Sequence, residues 1–334
     1  MSRRVTMADI AREAGVSLMT VSRAINNKTS VSATTRARVQ SIAERLGYRP
    51  SGIARSLATA RTRTVGLVVV DNANPFFSGI ARGVEHTAYL SGYSVFLCNT
   101  EEDLARERDV LRSLEENRVD GVVLCSSRLP QNDLLVAVAG FGAAVLINRQ
   151  LFADGGLGTV LVNDEDGAHA ITRHLLNRGH ERIGFLSGPQ NSYSGQQRGL
   201  GYRAALREND IQPNPGWEQF CLPRVDSGYA AAHALLSAHD DLTALFCYND
   251  LSAIGALQAA KALGRRVPDD LAIAGFDDTP LAALVTPALT TCRVPVYDMG
   301  RAAMKLLIDR MNGCRTDCKD AFFSPHLVIR ESAP

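Results

Sequence analysis

Asp9-Ile-Ala-Arg-Glu-Ala-Gly-Val-Ser-Leu-Met-Thr-Val-Ser-Arg-Ala-Ile-Asn26 decides the architecture of the N-terminal end. Apolar residues recur at helical spacing on both sides of Gly15-Val16-Ser17. Gly15 is free to take positive φ and stop one helix. Ser17 can cap the next. The stretch therefore reads as helix, tight turn, helix. Thr6, with Asp9 three residues on, gives the first helix a capping pattern. Ala8, Ile10, Ala11 and Ala14 form its small apolar face. The second helix would bury Val21, Ala24 and Ile25 and end at Asn26 and Asn27. Ser32 caps a third, which runs through Val39, Ile42, Ala43 and Leu46 and stops at Gly47, ahead of Pro50.

In a helix-turn-helix the second helix enters the major groove of DNA. Ser17, Thr20 and the free amides at that helix start suit a phosphate. Leu18, Met19 and Arg23 are predicted to point outward. Arg23 can fork onto guanine O6 and N7, whereas Leu18 and Met19 can only pack on apolar edges such as a thymine methyl.

The charge distribution agrees. Residues 1–63 hold 12 Lys and Arg against 3 Asp and Glu, a net of +9. The remainder holds 24 against 32, a net of −8, so the formal +1 of the 334-residue chain hides a basic head and an acidic body. With 46% hydrophobic and 21% charged residues, the body can bury a large core. The basic N-terminus lacks an apolar run of the secretory kind, and no stretch approaches eighteen apolar residues, which argues for a cytoplasmic, nucleoid-associated protein with no membrane partner. The seven cysteines (98, 125, 221, 247, 292, 314, 318) are odd in number and mostly sit in apolar runs, so reduced thiols are expected. Cys314 and Cys318 lack the further ligands of a zinc site.

Residues 51–63 are a separate element. Ser51 can cap a short helix over 52–60 carrying Ile53, Ala54, Leu57 and Ala58, too short to hold without a partner or ligand. From residue 65 the period changes. Strands are predicted over 65–70, 95–99, 121–125, 143–148, 183–187, 244–248 and 271–276. Helices are predicted over 76–91, 104–117, 134–140, 166–178, 196–209, 227–236 and 250–263. This βα alternation specifies doubly wound parallel sheets, and a break near 161–164 divides them into two α/β lobes. Ligands bind beyond the carboxyl ends of such strands. Phe76 and Phe77, in Asp71-Asn-Ala-Asn-Pro-Phe-Phe77, lie at one strand end and could offer ring faces or simply fill core. Asn148-Arg149, residues 187–198, Asn249-Asp250 and Asp277-Asp278 lie at others. Asp250 is expected to cap the helix it precedes. Enzyme chemistry is not expected: no Gly-x-Gly-x-x-Gly, P-loop or His-Glu-x-x-His motif is present.

Thr-Met-Ala-Asp-Ile-Ala at 6–11, Gly15-Val16-Ser17, Thr20-Val21-Ser22-Arg23, Val31-Ser32 and Leu46-Gly47-Tyr48-Arg49-Pro50 together resemble the LacI/GalR family of bacterial transcriptional regulators. The resemblance continues to Arg330-Glu331-Ser332. It implies a helix-turn-helix domain over 1–50, a hinge helix and linker over 51–63, and an effector-binding and dimerisation body over 64–334. That body would consist of two lobes of periplasmic-binding-protein-like type. The first lobe would span about 64–162 plus 292–320, the second about 163–291 plus 321–332. The expected function is repression of carbohydrate or sugar-acid metabolism genes by a homodimer on double-stranded operator DNA. Activation, co-repressor dependence, or a soluble two-lobe binding protein for sugars or nucleosides are the alternatives.

The resemblance also implies roles for residues. Leu57 would wedge into the central minor groove, Ala54 would pack across the dimer axis, and Arg55 and Arg61 would neutralise phosphates. Ser51 stands where the family commonly has Asn. Arg198, ahead of Gly201-Tyr202, matches the effector-binding arginine. Asn249 matches the strand-end asparagine, and Asp277 the aspartate. An aromatic common in relatives is Pro223 here, beside Arg224, and Tyr193 could replace it. The small-molecule effector would be a sugar, sugar acid or sugar phosphate. An anion becomes plausible if two of Arg128, Arg149, Arg198 and Arg224 face inward. No cofactor and no metal are expected. Dimers would pair through the first lobe, with the helix over 76–91 as a candidate interface.

Overall fold

In the computed structural model, residues 5–25, 30–48, 61–151, 157–314 and 320–334 are described. They form two units, divided after Thr62. The first contains α1 (Met7–Ala14), α2 (Leu18–Ile25) and α3 (Ala33–Arg45). Capping defines each start. The Asp9 N–H donates to Thr6 Oγ1, and the Thr6 N–H donates to Asp9 Oδ2 at 2.9 Å, a complete capping box. Thr20 N–H donates to Ser17 Oγ at 3.1 Å, and Thr35 N–H to Ser32 Oγ at 3.3 Å. Gly15 turns the chain at φ 62°. Ile10, Ala14, Val21, Ala24, Val31, Val39 and Ala43 make the core, while Ala8, expected on the apolar face, is exposed. The Asn26-Asn27 stop and the whole 52–60 helix lie outside the described residues.

The second unit has two parallel sheets. In the first lobe six strands take the order β11-β5-β4-β3-β1-β2: β1 (Thr64–Val69), β2 (Ser94–Asn99), β3 (Gly121–Cys125), β4 (Ala144–Ile147), β5 (Gly158–Val162) and β11 (Ala321–Phe323). β3, β4 and β5 are buried throughout, as helix-covered parallel strands must be, and they read as apolar runs for that reason. In the second lobe four strands take the order β7-β6-β8-β9: β6 (Ile183–Ser187), β7 (Glu218–Phe220), β8 (Ala244–Cys247) and β9 (Ala272–Ala274). β10 (Thr291–Arg293) and β12 (His326–Val328) pair antiparallel beside it.

The helices are α4 (Pro75–Leu90), α5 (Leu104–Glu116), α6 (Gln131–Val138), α7 (Asp164–Asn177), α8 (Tyr193–Glu208), α9 (Val225–Ala238), α10 (Asp250–Ala262) and α11 (Val296–Met311). Three pairs pack closely: α4 with α11, α7 with α8, and α9 with α10. Two glycines show why. A Cβ on Gly201 of α8 would lie 2.1 Å from the Glu165 carbonyl of α7. One on Gly300 of α11 would lie 2.2 Å from the Ile80 carbonyl of α4.

Several expectations need correcting. The chain crosses between lobes near Asn163, 294–295 and 324–325. β11 pairs with β5, so residues 321–323 belong to the first lobe and not the second. The βα reading omits α11, although its buried Met299, Ala303, Met304 and Leu307 keep helical spacing. It also omits β5, β7 and the pair β10-β12, short strands with little pattern of their own. Asn249, not Asp250, caps α10: Ser252 N–H donates to Asn249 Oδ1 at 2.9 Å. Cys98, Cys125, Cys221, Cys247 and Cys292 are free thiols, but Cys314 is disulfide-bonded.

Gly201→Ala is expected to destabilise the body by about 1–3 kcal/mol, because the α7 backbone cannot retreat without repacking. Denaturant unfolding compared with wild type measures it.

Candidate functional site

The exposed face of α2 carries the predicted DNA-reading residues. Leu18 and Met19 are 55% and 62% exposed, large values for apolar side chains on a helix whose other face is core. Ser17 and Arg23 are also exposed, and Thr20 is half-buried. Ser17 Oγ is engaged by the Thr20 amide and by Thr20 Oγ1 at 2.9 Å. Ser51, Ala54, Arg55 and Leu57 lie outside the described residues.

In the body, strand ends of both lobes converge on a small chamber. Asn74, Phe76, Phe77, Ser126, Arg128 and Asn148 line it from the first lobe. Ser194, Arg198, Pro223, Tyr248, Asn249 and Asp277 line it from the second. The chamber is about 20 Å³, room for one water. Asn74, Phe77 and Pro223 also border a wider pocket of about 230 Å³, walled by Val70, Asp71, Glu101, Glu102, Leu222 and Arg224.

Arg198 organises the second-lobe wall. Its Nε donates to Asp164 Oδ1 at 2.8 Å, Nη1 to the Tyr248 carbonyl at 2.6 Å, and Nη2 to Asp277 Oδ1 at 3.3 Å. Its guanidinium lies 3.8 Å over the centre of the Phe276 ring. Burial opposes its charge, but Asp164 and Asp277 outweigh that and hold the guanidinium protonated above its ordinary value. Burial pushes both carboxyls up: Asp164 above its usual range, and Asp277 well above it, against the pull of Arg198. Asp277 also occupies φ 110°, a backbone region side-chain-bearing residues rarely adopt.

In the first-lobe wall, Arg128 is buried and already paired. It donates from Nε and Nη2 to the two carboxylate oxygens of Glu102, at 2.6 and 2.9 Å. Behind it, Glu107 accepts from the Arg128 amide at 3.0 Å and from the Ser127 hydroxyl at 2.5 Å. Asn148 Oδ1 and Asp164 Oδ2 are buried without a hydrogen-bond partner, and the Ser194 hydroxyl lies against the Asp164 carboxyl. Phe76 and Phe77 meet edge-to-face at 5.2 Å, and both belong to the core while bordering the chamber.

The chamber thus gathers Phe76, Phe77, Asn148, Arg198, Asn249 and Asp277, all predicted from sequence. It leaves out Arg149 and Tyr193. Arg149 donates to the Leu129 carbonyl at 3.0 Å within its own lobe. Tyr193 donates its hydroxyl to Gln150 Oε1 at 2.9 Å across the cleft rim. Asn249 contributes less than expected, because its carboxamide oxygen is taken by the α10 cap. Sequence reasoning misses Asp164, Ser126, Ser194 and Tyr248. Asp164 had a signal: an acidic residue directly after the predicted lobe break.

A helix-turn-helix unit joined to a two-lobe cleft defines a DNA-binding regulator that answers to a small molecule. Residues 6–51 match the model of bacterial regulatory proteins, lacI family, and residues 172–333 match a periplasmic binding protein-like domain. The chain is 36% identical over 328 residues to the HTH-type transcriptional repressor PurR of Photobacterium profundum, covering 98% of each. It is 34% identical over 330 residues to the ribose operon repressor of Halalkalibacterium halodurans, covering 98% of this chain and 96% of that one. The crystal structure of the lac repressor dimer bound to operator and the anti-inducer ONPF matches with a TM-score of 0.87 at 27% identity, covering 99% of each chain. The chain therefore belongs to the LacI family. It is a ligand-responsive DNA-binding repressor, and its relatives are transcriptional repressors, not enzymes.

Asp250, behind the chamber, accepts from Thr291 Oγ1 and the Thr279 amide, each at 2.6 Å, yet burial raises its carboxyl to about 6. The folded protein therefore keeps a proton there that the unfolded chain releases from about pH 4 upward. Asp250's contribution is present below the ordinary carboxylate range and is lost as pH rises through about 6. Stability therefore falls across that window. Asp250→Asn is expected to remove this fall, read as a flatter dependence of unfolding free energy between about pH 4 and 6.

Proposed function

We propose that this repressor responds to a neutral, polyhydroxylated small molecule, a sugar or a nucleoside, bound between the lobes. The observation that carries the reading is that both chamber arginines are already neutralised. Arg198 serves Asp164 and Asp277, and Arg128 serves Glu102 in bidentate fashion. Arg224 is 56% exposed on the outer pocket and faces acidic neighbours there. Among the described residues that line the chamber, no arginine is left without a carboxylate partner for a sugar acid or sugar phosphate to replace. Ligand hydroxyls would instead donate to Asp277 and to the orphaned Asn148 Oδ1, and accept from Ser194 or Arg198. Phe76 or Phe77 would cover an apolar ring face. The ribose operon repressor among the relatives supports this ligand class.

On DNA, Arg23 reads guanine, Leu18 and Met19 pack on apolar base edges, and Ser17 and Thr20 meet phosphate. Ser51, Ala54, Arg55 and Leu57 serve the hinge over 51–63. Two copies pair through the first lobe, where edge strand β2 exposes Phe96 and Leu97 and the end of α4 exposes Tyr89 and Leu90. The protein works on operator DNA in the cytoplasm, without a cofactor. Effector and operator binding are linked reciprocally, because both depend on the arrangement of the same lobes.

Calorimetric titration of the full chain with D-ribose, cellobiose and inosine, against gluconate and glucose 6-phosphate, tests the ligand class. A neutral compound is expected to bind at least about tenfold tighter than the anions; tighter binding of an anion overturns the reading. Asp277→Asn is expected to lose at least about tenfold in affinity for the neutral compound. Arg23→Ala is expected to lose about 1–3 kcal/mol of operator discrimination. Unaltered preference between operator variants would remove Arg23 from base reading.

A further inference from the structure

Asp278 follows the chamber aspartate and does not line the chamber. It is 6% exposed, and its carboxylate is shared between two arginines from distant parts of the chain. Arg293 Nε donates to Oδ2 and Arg330 Nη2 to Oδ1, both at 2.6 Å. Arg293 ends β10, just before the chain passes into the first lobe. Arg330 lies two residues beyond β12, where the chain has returned from it. One carboxylate thus binds the segments of two of the three lobe crossings together. The remaining crossing is tied in separately, by the Asn163 amide donating to the Phe323 carbonyl at 2.9 Å.

The same place holds two consecutive positive-φ residues. Asp277 sits at φ 110° and Asp278 at φ 53°. Asp277 is clamped on both sides by the segment that carries Arg293. Its amide donates to the Cys292 carbonyl at 2.8 Å, and the Val294 amide donates to its carbonyl at 3.2 Å. Arg330 also braces this segment, through Nη1 to the Leu289 carbonyl at 2.8 Å and its amide to Thr290 Oγ1 at 2.8 Å. Such a conformation persists only where its surroundings over-determine it. Side chains supply part of those surroundings: the Asp278–Arg293–Arg330 cluster, Thr291 Oγ1, which accepts from the Asp278 amide at 3.4 Å, and Asp250, which accepts from the Thr279 amide at 2.6 Å.

We propose that Asp278 is a positioning residue for effector binding: by gripping Arg293 and Arg330 it fixes two interlobe segments and holds Asp277 in the backbone conformation that aims its carboxylate at Arg198 and the chamber. The inference rests on the reading of Asp277 as an effector contact. Ligand contact at Asp277 is then one peptide bond from the clamp on the crossings, so the binding site and the pivot are neighbours in the chain.

The test uses the full-length protein with whichever of D-ribose, cellobiose and inosine binds the wild type. Asp278→Asn keeps the size of the side chain but cannot accept two charge-assisted bonds. It is expected to weaken the probe at least about tenfold, with Asp278→Glu recovering part of the loss. Arg330→Gln is expected to weaken the probe too, and to cost little further when added to Asp278→Asn. Asp270→Asn, which removes an exposed partner of Arg266, serves as control and leaves affinity within about twofold. A folded Asp278→Asn or Arg330→Gln protein with wild-type affinity overturns the proposal. Asp277→Asn separates the two failures: wild-type affinity there refutes the chamber reading, whereas loss there with none in Asp278→Asn refutes only the clamp. Hydrogen exchange without ligand decides the case if no probe binds. The amides of Asp277 and Val294 are expected to exchange at least about tenfold faster in Asp278→Asn, and unchanged exchange overturns the proposal.

Discussion

A buried guanidinium must be paired from several directions, and Arg198 shows how far that requirement reaches. At 3% exposure it cannot fall back on water. It therefore collects Asp164 from the start of α7, the Tyr248 carbonyl from the end of β8, Asp277 from the end of β9, and the Phe276 ring beneath it. These partners come from successive βα units of the second lobe. The strand ends must meet in one place for the arginine to be tolerated, and that convergence is the chamber wall. Removing water from two carboxylates and a guanidinium costs more than their attraction alone returns, so the hydrogen-bond count decides whether the arrangement holds.

The first-lobe wall follows the same rule with different members. Arg128 is satisfied by Glu102, and Glu107 by Ser127 and the Arg128 amide. Both chamber arginines are paired with carboxylates, while Asn148 Oδ1 on one wall and Asp164 Oδ2 on the other are buried without a hydrogen-bond partner.

Much of this was legible in the sequence. Thr6, Gly15, Ser17 and Ser32 act within a few residues of themselves, so the head could be read from local chemistry alone. Parallel strands buried on both faces announce themselves as apolar runs, which located most of the body. Converging strand ends pointed to Asn148 and to the stretches around Arg198, Asn249 and Asp277, and the family resemblance singled out those three residues within them. What stayed hidden depends on partners far along the chain. Nothing near Asp164 reveals a bond to a residue 34 positions away. Nothing near Arg128 distinguishes an arginine waiting for an anion from one already held by Glu102. Arg149 and Tyr193 share their neighbours' strand-end addresses, but their longer reach takes them to a carbonyl within the lobe and to the rim. Likewise Asn249 and Asp250 are both plausible caps in sequence, and only the fold shows which one has a free β-region backbone and which is enclosed by Thr279 and Thr291.

The glycine contacts at Gly201 and Gly300 have a mechanical meaning. Helices whose backbones touch have no layer of side chains between them to shear, so each pair moves as one plate. A disturbance at the cleft cannot be absorbed as small repacking inside a lobe. It has to emerge as a change in the angle between two stiff bodies, concentrated in the few residues that cross between them. Stiffness in the halves is thus what turns a handful of hydrogen bonds at the centre into a displacement at the edges, and it lets the lining of the cleft diversify without disturbing the lever that reports its occupancy.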